Sequence, residues 1–383
     1  MQRGRDGLRR SLSDVTPQGR FARLADGPPL LNLAGNDYLA LCDHPALIDA
    51  AVAATQSGGT GAGASRLVCG TTPEHSRCER RFAALKHAES ALLFPTGYAA
   101  NLGLLGALAR PGDLVVQDRL NHASLIDAAA ASGATVRTVA HGPRGHAKAA
   151  RLLADHHAEH PAARRLVVAD AVFSMDGDTA DPAALLALCE QHDAWLILDE
   201  AHATGVLGPT GAGMAEAAGV HAHPRLLATV STGSKALGGL GGVVCGPQVV
   251  IDTLVNHARS LIYTTAPPPA QAAALTAALD LVAAEPQRRE RLRDLSLALR
   301  AALADRGWPG VAADQHVTPI VALRVGTADA ALTLAQRLES AGVLAVAIRP
   351  PTVPPGTARV RLSLRCDLTD DDLSRVVDAI GPA

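Results

Sequence analysis

Residues 195–208 read WLILDEAHATGVLG. A short run of large apolar side chains ends in an acidic pair, Asp199 and Glu200, and the chain continues through His202 into glycines at 205 and 208. An apolar run without polar alternation, too short for a helix, fits a strand covered on both faces. Such strands belong to parallel sheets flanked by helices, and ligands of those sheets gather beyond the carboxyl ends of the strands. Asp199, Glu200 and His202 stand at such an end.

Six further runs of the same kind lie at residues 91–95, 113–117, 136–140, 166–172, 226–231 and 242–245, separated by Ala/Leu-rich helical stretches. With 195–199 they make seven strands, so the expected fold class is α/β, with a seven-stranded, mostly parallel sheet in a large domain. The proline run 267–269 breaks the alternation and leads into a helical stretch, interrupted by Pro286, that ends near Arg306. Two short strands, 319–325 and 343–348, an alternating segment at 359–365 and a helix over 369–380 then suggest a smaller α+β C-terminal domain. The expected organisation is an N-terminal segment at 1–45, a large domain at 46–269 and a small one at 270–383.

The chain has 383 residues, 48% of them hydrophobic but only 2% aromatic, so alanine, valine and leucine must fill the cores. Lysine and arginine number 35 against 37 acids, a net charge of −2, which gives no overall attraction to nucleic acid or an anionic membrane. The first ten residues carry Arg3, Arg5, Arg9 and Arg10 with no apolar stretch behind them, so no secretory signal is expected and the location reads as cytoplasmic. The uncharged stretches 236–251 and 260–279 are interrupted by glycines and by the proline run, and neither reads as a membrane span. Six scattered cysteines form no C-x-x-C pair, so neither a disulfide framework nor a metal centre is expected. His156 and His160 fall one helical turn apart in the wrong order for H-E-x-x-H, and 288–294 interleaves arginines with acids, so both read as polar helix faces.

LILDEAH also matches the metal-binding strand of a helicase-type ATPase, but that chemistry requires G-x-x-x-x-G-K-[ST], which the sequence does not contain. A purely structural Asp and His at a strand end is the bland alternative. The second informative stretch, 229–242 (TVSTGSKALGGLGG), holds Lys235 in a loop with five glycines. A Schiff-base lysine must shed its proton to attack a carbonyl, and a solvated loop lysine is the competing reading. Together Lys235 and Asp199 supply the amine and the ring carboxylate that pyridoxal 5'-phosphate needs. Thr96, Gly97 and Tyr98 follow one strand and open a helix, where backbone N–H groups can meet a phosphate, and Thr232 can add a hydroxyl. His122, at another strand exit, could lie flat against the cofactor ring or simply be a helix N-terminal histidine satisfied by water.

Nine segments in order, GNDYLAL, GAGASRLVCG, LFPTGYAAN, DRLNHASL, FSMDGD, LDEAHATGVLG, STGSKALGG, LIYTTAPPPAQ and IRPPTVPPGTARVRLSL, resemble the α-oxoamine synthase family of fold-type I PLP-dependent transferases. The resemblance implies that Lys235 carries the cofactor imine, Asp199 pairs with the pyridinium nitrogen and His202 bonds the phenolic oxygen. It gives Gly97, Tyr98 and Thr232 to the phosphate, Ser174 a further cofactor contact, and His122 the stacking position and a role at the acyl carbonyl. Thr264 would reach the phosphate across a homodimer interface. Arg361 would anchor the amino acid's carboxylate, Thr352 would touch substrate, and Arg9, with Arg10 as rival, would be an N-terminal substrate arginine. The activity implied is condensation of L-alanine with a pimeloyl thioester, carried on coenzyme A or acyl carrier protein, with loss of carbon dioxide, in biotin biosynthesis. The alternative within the family is glycine or serine with another acyl-CoA.

Overall fold

A computed structural model of the chain describes residues 12–25, 27–312 and 317–383. They divide into two compact units, one comprising Leu41–Phe173 and Thr179–Pro286, the other the N-terminal residues to Ala40, Ser174–Asp178 and Gln287–Ala383.

The larger unit holds one seven-stranded sheet. Its strands in chain order are β1 (Ser90–Phe94), β2 (Leu114–Asp118), β3 (Thr135–Val139), β4 (Arg165–Asp170), β5 (Trp195–Asp199), β6 (Leu226–Thr232) and β7 (Gly242–Gly246). They lie in the order β1-β7-β6-β5-β4-β2-β3, and only β7 runs antiparallel to its neighbours. The α/β expectation therefore holds, and each strand falls within two residues of its expected run. β4 is buried along its whole length, as unbroken apolar runs between two helical layers require.

On one face of the sheet Leu104 and Leu105 of the helix Gly97–Leu108 join Val115, Val168, Ile197, Val230 and Val244 in a single apolar cluster. Each such side chain contributes roughly 1.5–3 kcal/mol when removed from water. Ala100, Ala128 and Ala129 complete the same cluster, so alanine takes the space that aromatic residues occupy in other cores. Pairing sets Asp170 level with Asp199, and Asp199 level with Val230, so three strand ends finish at one edge.

The smaller unit differs from the sequence reading in two respects. The segment 343–348 is not one strand: Val343–Leu344 pairs parallel with Leu31–Asn32, and Val346–Ile348 pairs antiparallel with Ala358–Ser363 in a different sheet. The N-terminal residues, for which no strands were expected, form a hairpin of Val15–Gln18 and Phe21–Leu24 followed by the strand Pro29–Asn32. The division between units also falls at Gln287 rather than at 270. The helix Pro269–Ala284 buries Ala272, Leu275, Ala278, Leu279 and Val282, and packs against the helices Pro45–Gly58 and Pro73–Leu85 of the larger unit. Among the described residues no helix is long and apolar enough to cross a membrane.

Candidate active site

Asp199 ends β5 and is buried. Its Oδ2 accepts from Asn101 Nδ2 at 2.7 Å, and its Oδ1 accepts from the backbone N–H of Ala201 at 2.9 Å. Asn101 lies one turn into the helix Gly97–Leu108 and also donates from Nδ2 to Ser124 Oγ at 2.9 Å. Ser124 belongs to the helix Ala123–Ala131, whose N-cap is His122; the His122 ring accepts from the Ser124 N–H. One strand over, Asp170 Oδ2 accepts the backbone N–H of His122 at 2.8 Å. Burial, and next the negative charge of Asp199, hold the Asp170 carboxyl well above its ordinary range. Desolvation lowers the His122 imidazole below its ordinary value, with the nearby Asp199 opposing and Lys235 reinforcing the shift. Lys235, His122, Asp170 and Asp199 thus act on one another at a single sheet edge.

Gly97 opens a twelve-residue helix beside Thr232, the last residue of β6. A methyl placed on Gly97 would stand 3.5 Å from both Cβ and Oγ1 of Thr232, so the helix N-terminus and the hydroxyl flank one small space. Thr232 Oγ1 is 3.0 Å from Ser234 Oγ, and Lys235 follows in the same turn, half-buried. Free helical N–H groups beside a hydroxyl suit a phosphate, while a buried carboxylate and a lysine in the same field suit the ring and carbonyl of pyridoxal phosphate. The residues present fit that group. Tyr98 is exposed, and its phenol donates to the Asp127 carboxylate, a bond that raises the phenol's pKa. Thr264 is half-buried in the loop after the short helix Arg259–Ile262.

The turn after Asp199 is pinned from below. Glu200 is fully buried and paired with the buried Lys86 ammonium, which also donates to Thr204 Oγ1 at 3.1 Å and to the carbonyl of Ala212. The other Glu200 oxygen accepts from the Ala215 N–H at 2.7 Å, and Thr204 Oγ1 sits 2.9 Å from Ser231 Oγ. His202 is buried inside this turn. Removing one partner of a buried pair strands a charge, so Lys86→Met is expected to lower stability by about 3–5 kcal/mol. Urea unfolding measures it; a loss below about 1 kcal/mol would mean that Glu200 finds other donors without Lys86.

In the smaller unit Arg361 stands buried on the strand Ala358–Ser363. Its Nη1 donates to the Ser174 carbonyl and its Nη2 to Asn36 Oδ1, each at 3.0 Å, while the buried Nε has no partner among the described residues. A guanidinium with a donor left over suits a carboxylate. Ser174 thus meets Arg361 through its backbone. Three residues on, Gly177 has φ +76°, and a Cβ there would lie 2.4 Å from the Ile320 carbonyl oxygen, so only glycine fits. Thr352 is exposed, with its N–H donating to the Arg349 carbonyl. Arg9 and Arg10 lie outside the described residues.

A model of the family described as aminotransferase class I and II matches residues 28–380. A relative from Geobacillus kaustophilus described as a putative 8-amino-7-oxononanoate synthase is 45% identical over 94% of this chain and 90% of its own length. The 8-amino-7-oxononanoate synthase of Alkalilimnicola ehrlichii is 46% identical over 95% and 90%. The chain belongs to the 8-amino-7-oxononanoate synthase branch of the aminotransferase class I and II family. Among solved structures, serine palmitoyltransferase from S. paucimobilis with a bound PLP–myriocin aldimine overlays with a TM-score of 0.89 at 27% identity, covering 96% of this chain and 90% of that one. The 8-amino-7-oxononanoate synthase of Francisella tularensis overlays with a TM-score of 0.75 at 26% identity, covering 92% and 96%. Overlay scores rank backbones, which sister enzymes share, so for this synthase branch the higher sequence identities weigh more on the reaction.

Asn101, Ser124 and Asp170 were not singled out from the sequence. A signal existed for two of them: Asn101 is the lone amide in the otherwise apolar GYAANLGLLGAL, and Asp170 ends LVVAD as Asp199 ends WLILD.

Proposed function

We propose that this protein condenses L-alanine with a pimeloyl thioester, releasing carbon dioxide and the carrier thiol and giving 8-amino-7-oxononanoate for biotin synthesis. The observation that carries the reading is the meeting of Asp199, Lys235, His122 and the Gly97–Thr232 cradle at one sheet edge, in a chain 45–46% identical to synthases of that name.

Bound pyridoxal phosphate supplies a carbonyl for the amino acid's nitrogen and a protonated ring that draws electrons from its α-carbon. Asp199 keeps the ring nitrogen protonated, and its two accepted hydrogen bonds fix the carboxylate in place. Lys235 would hold the cofactor's carbonyl carbon at rest, and would take the α-proton of alanine and later return one. Gly97, Tyr98 and Thr232 bind the phosphate, Ser174 adds a cofactor contact and His202 bonds the phenolic oxygen. His122 lies against the ring and donates to the acyl carbonyl as it accepts charge. Arg361 takes the alanine carboxylate, with Thr352 and Arg9 as further substrate contacts. The protein is a cytoplasmic homodimer in this reading, with Thr264 serving the partner's phosphate, and the acyl carrier is coenzyme A or acyl carrier protein.

The test is release of carbon dioxide and free thiol by the PLP-loaded protein given L-alanine with pimeloyl-CoA, beside glycine or serine with other acyl-CoAs. Turnover with the first pair alone is the expected result. Faster turnover with serine and a long acyl-CoA would replace this reading by the one that the serine palmitoyltransferase overlay favours. An alanine-induced colour change with thiol released only from pimeloyl-acyl carrier protein would fix the carrier.

A further inference from the structure

The polar groups between Asp199 and His122 have a direction. The Asp199 carboxylate only accepts, so the Asn101 amide must turn Nδ2 toward it, and the second Nδ2 hydrogen goes to Ser124 Oγ at 2.9 Å. This orientation leaves Asn101 Oδ1 buried without a hydrogen-bond partner. The opposite orientation would face two acceptors across 2.7 Å. Ser124 Oγ, having accepted from Asn101, has its own hydrogen left for His122 Nδ1 at 2.7 Å, and the Ser124 N–H meets the same ring nitrogen at 3.2 Å. Two donors converging on Nδ1 leave no place for a proton there.

We propose that the relay Asp199–Asn101–Ser124 fixes His122 as its Nε2–H tautomer, which makes Asn101 and Ser124 positioning residues that present the imidazole as a hydrogen-bond donor. Its use at the acyl carbonyl rests on the synthase reading; the tautomer itself does not. The backbone is held to match. Asn121 donates to the Val168 carbonyl at 2.8 Å and accepts from the Asp170 N–H at 3.1 Å, while the His122 N–H goes to Asp170 Oδ2. The charges around the ring are Asp199 on β5, Lys235 after β6 and Asp127 on the ring's own helix, with the Tyr98 phenol bonded to Asp127; the Asp170 carboxyl on β4, held well above its ordinary range, takes the His122 N–H. Burial outweighs Asp199 and Asp127, which favour imidazolium, and lowers the ring's pKa; in the neutral ring the relay decides which nitrogen bears the hydrogen.

The experiment is 15N NMR of the PLP-loaded protein labelled at histidine, with the His122 signals identified by their loss in His122→Asn. A pyridine-type Nδ1 and a pyrrole-type Nε2 across neutral pH are expected in the wild-type protein. In Ser124→Ala the titration of this ring should rise by about 0.7 pH unit, because a donor to the neutral form is gone. There kcat should fall about 10-fold while KM for L-alanine moves less than about twofold, and Ser124→Thr, which keeps the hydroxyl, should restore the titration. A proton on Nδ1 in the wild-type protein overturns the relay even if Ser124→Ala does not fold, and so does an unshifted titration in a folded Ser124→Ala. Condensation with Nδ1 protonated would sink the relay alone; an Nε2–H ring without condensation would sink the synthase reading alone.

Discussion

Lys235→Ala is expected to give a folded protein whose condensation rate has fallen on the order of 10,000-fold. Lys235 is asked to do two things that no neighbour can do. In the proposed mechanism it would hold the cofactor's carbonyl carbon before substrate arrives, and once released it would move the α-proton. His122, near enough to feel the lysine's charge, has its Nδ1 held by the hydroxyl and N–H of Ser124, so it cannot replace an amine. The fold should survive because Lys235 sits half-buried in a turn and its loss opens no core cavity. Thiol release measures the first part, and thermal unfolding the second. Residual activity above about a tenth of wild type would remove Lys235 from the mechanism.

Asp199→Asn should separate alanine binding from removal of its α-proton. The amide is nearly isosteric and keeps a carbonyl oxygen for Asn101, so cofactor and alanine should still bind. What would be lost is the negative charge that, in the proposed mechanism, keeps the ring nitrogen protonated and able to draw electrons from the α-carbon. Exchange of the alanine α-proton in deuterated water should fall by roughly 100- to 1,000-fold, while the alanine concentration that half-saturates the colour change moves by less than about threefold. Equal losses in both would show that Asp199 shapes the pocket rather than holding a proton. The same variant should let the Asp170 carboxyl fall back toward its ordinary range, since the Asp199 charge is the second of the two main causes that hold it high. Burial, the first cause, persists, so the return should be partial.

The parallel sheet was readable because its central strands are largely apolar. WLILD and LVVAD carry no alternation that another architecture could use, and the spacing between most runs leaves room for a helix, the loop from Thr232 to Gly242 being the exception. The N-terminal hairpin was not readable for the opposite reason. Its strands have four residues each, the first is fully exposed and contains Pro17, and pairing alone makes them strands. The segment 343–348 misled because its local pattern is uniformly strand-like, and only its partners show that the two halves belong to different sheets.

The site divides along the same line. Lys235 and Asp199 are marked by chemistry that depends on residue type at a strand exit, which a sequence displays directly. Asn101, Ser124 and Asp170 are 98, 75 and 29 residues from Asp199 in the chain, and nothing local marks what each touches. By itself the sequence determined which residues could do chemistry and where strands end, because periodicity and side-chain type are local properties. Only the tertiary structure decided that strand pairing sets Asp170 level with Asp199, and that one amide joins the Asp199 carboxylate to the serine beside His122. Hydrogen bonds are satisfied in three dimensions, and the direction in which a buried network donates exists only once its members have been brought together.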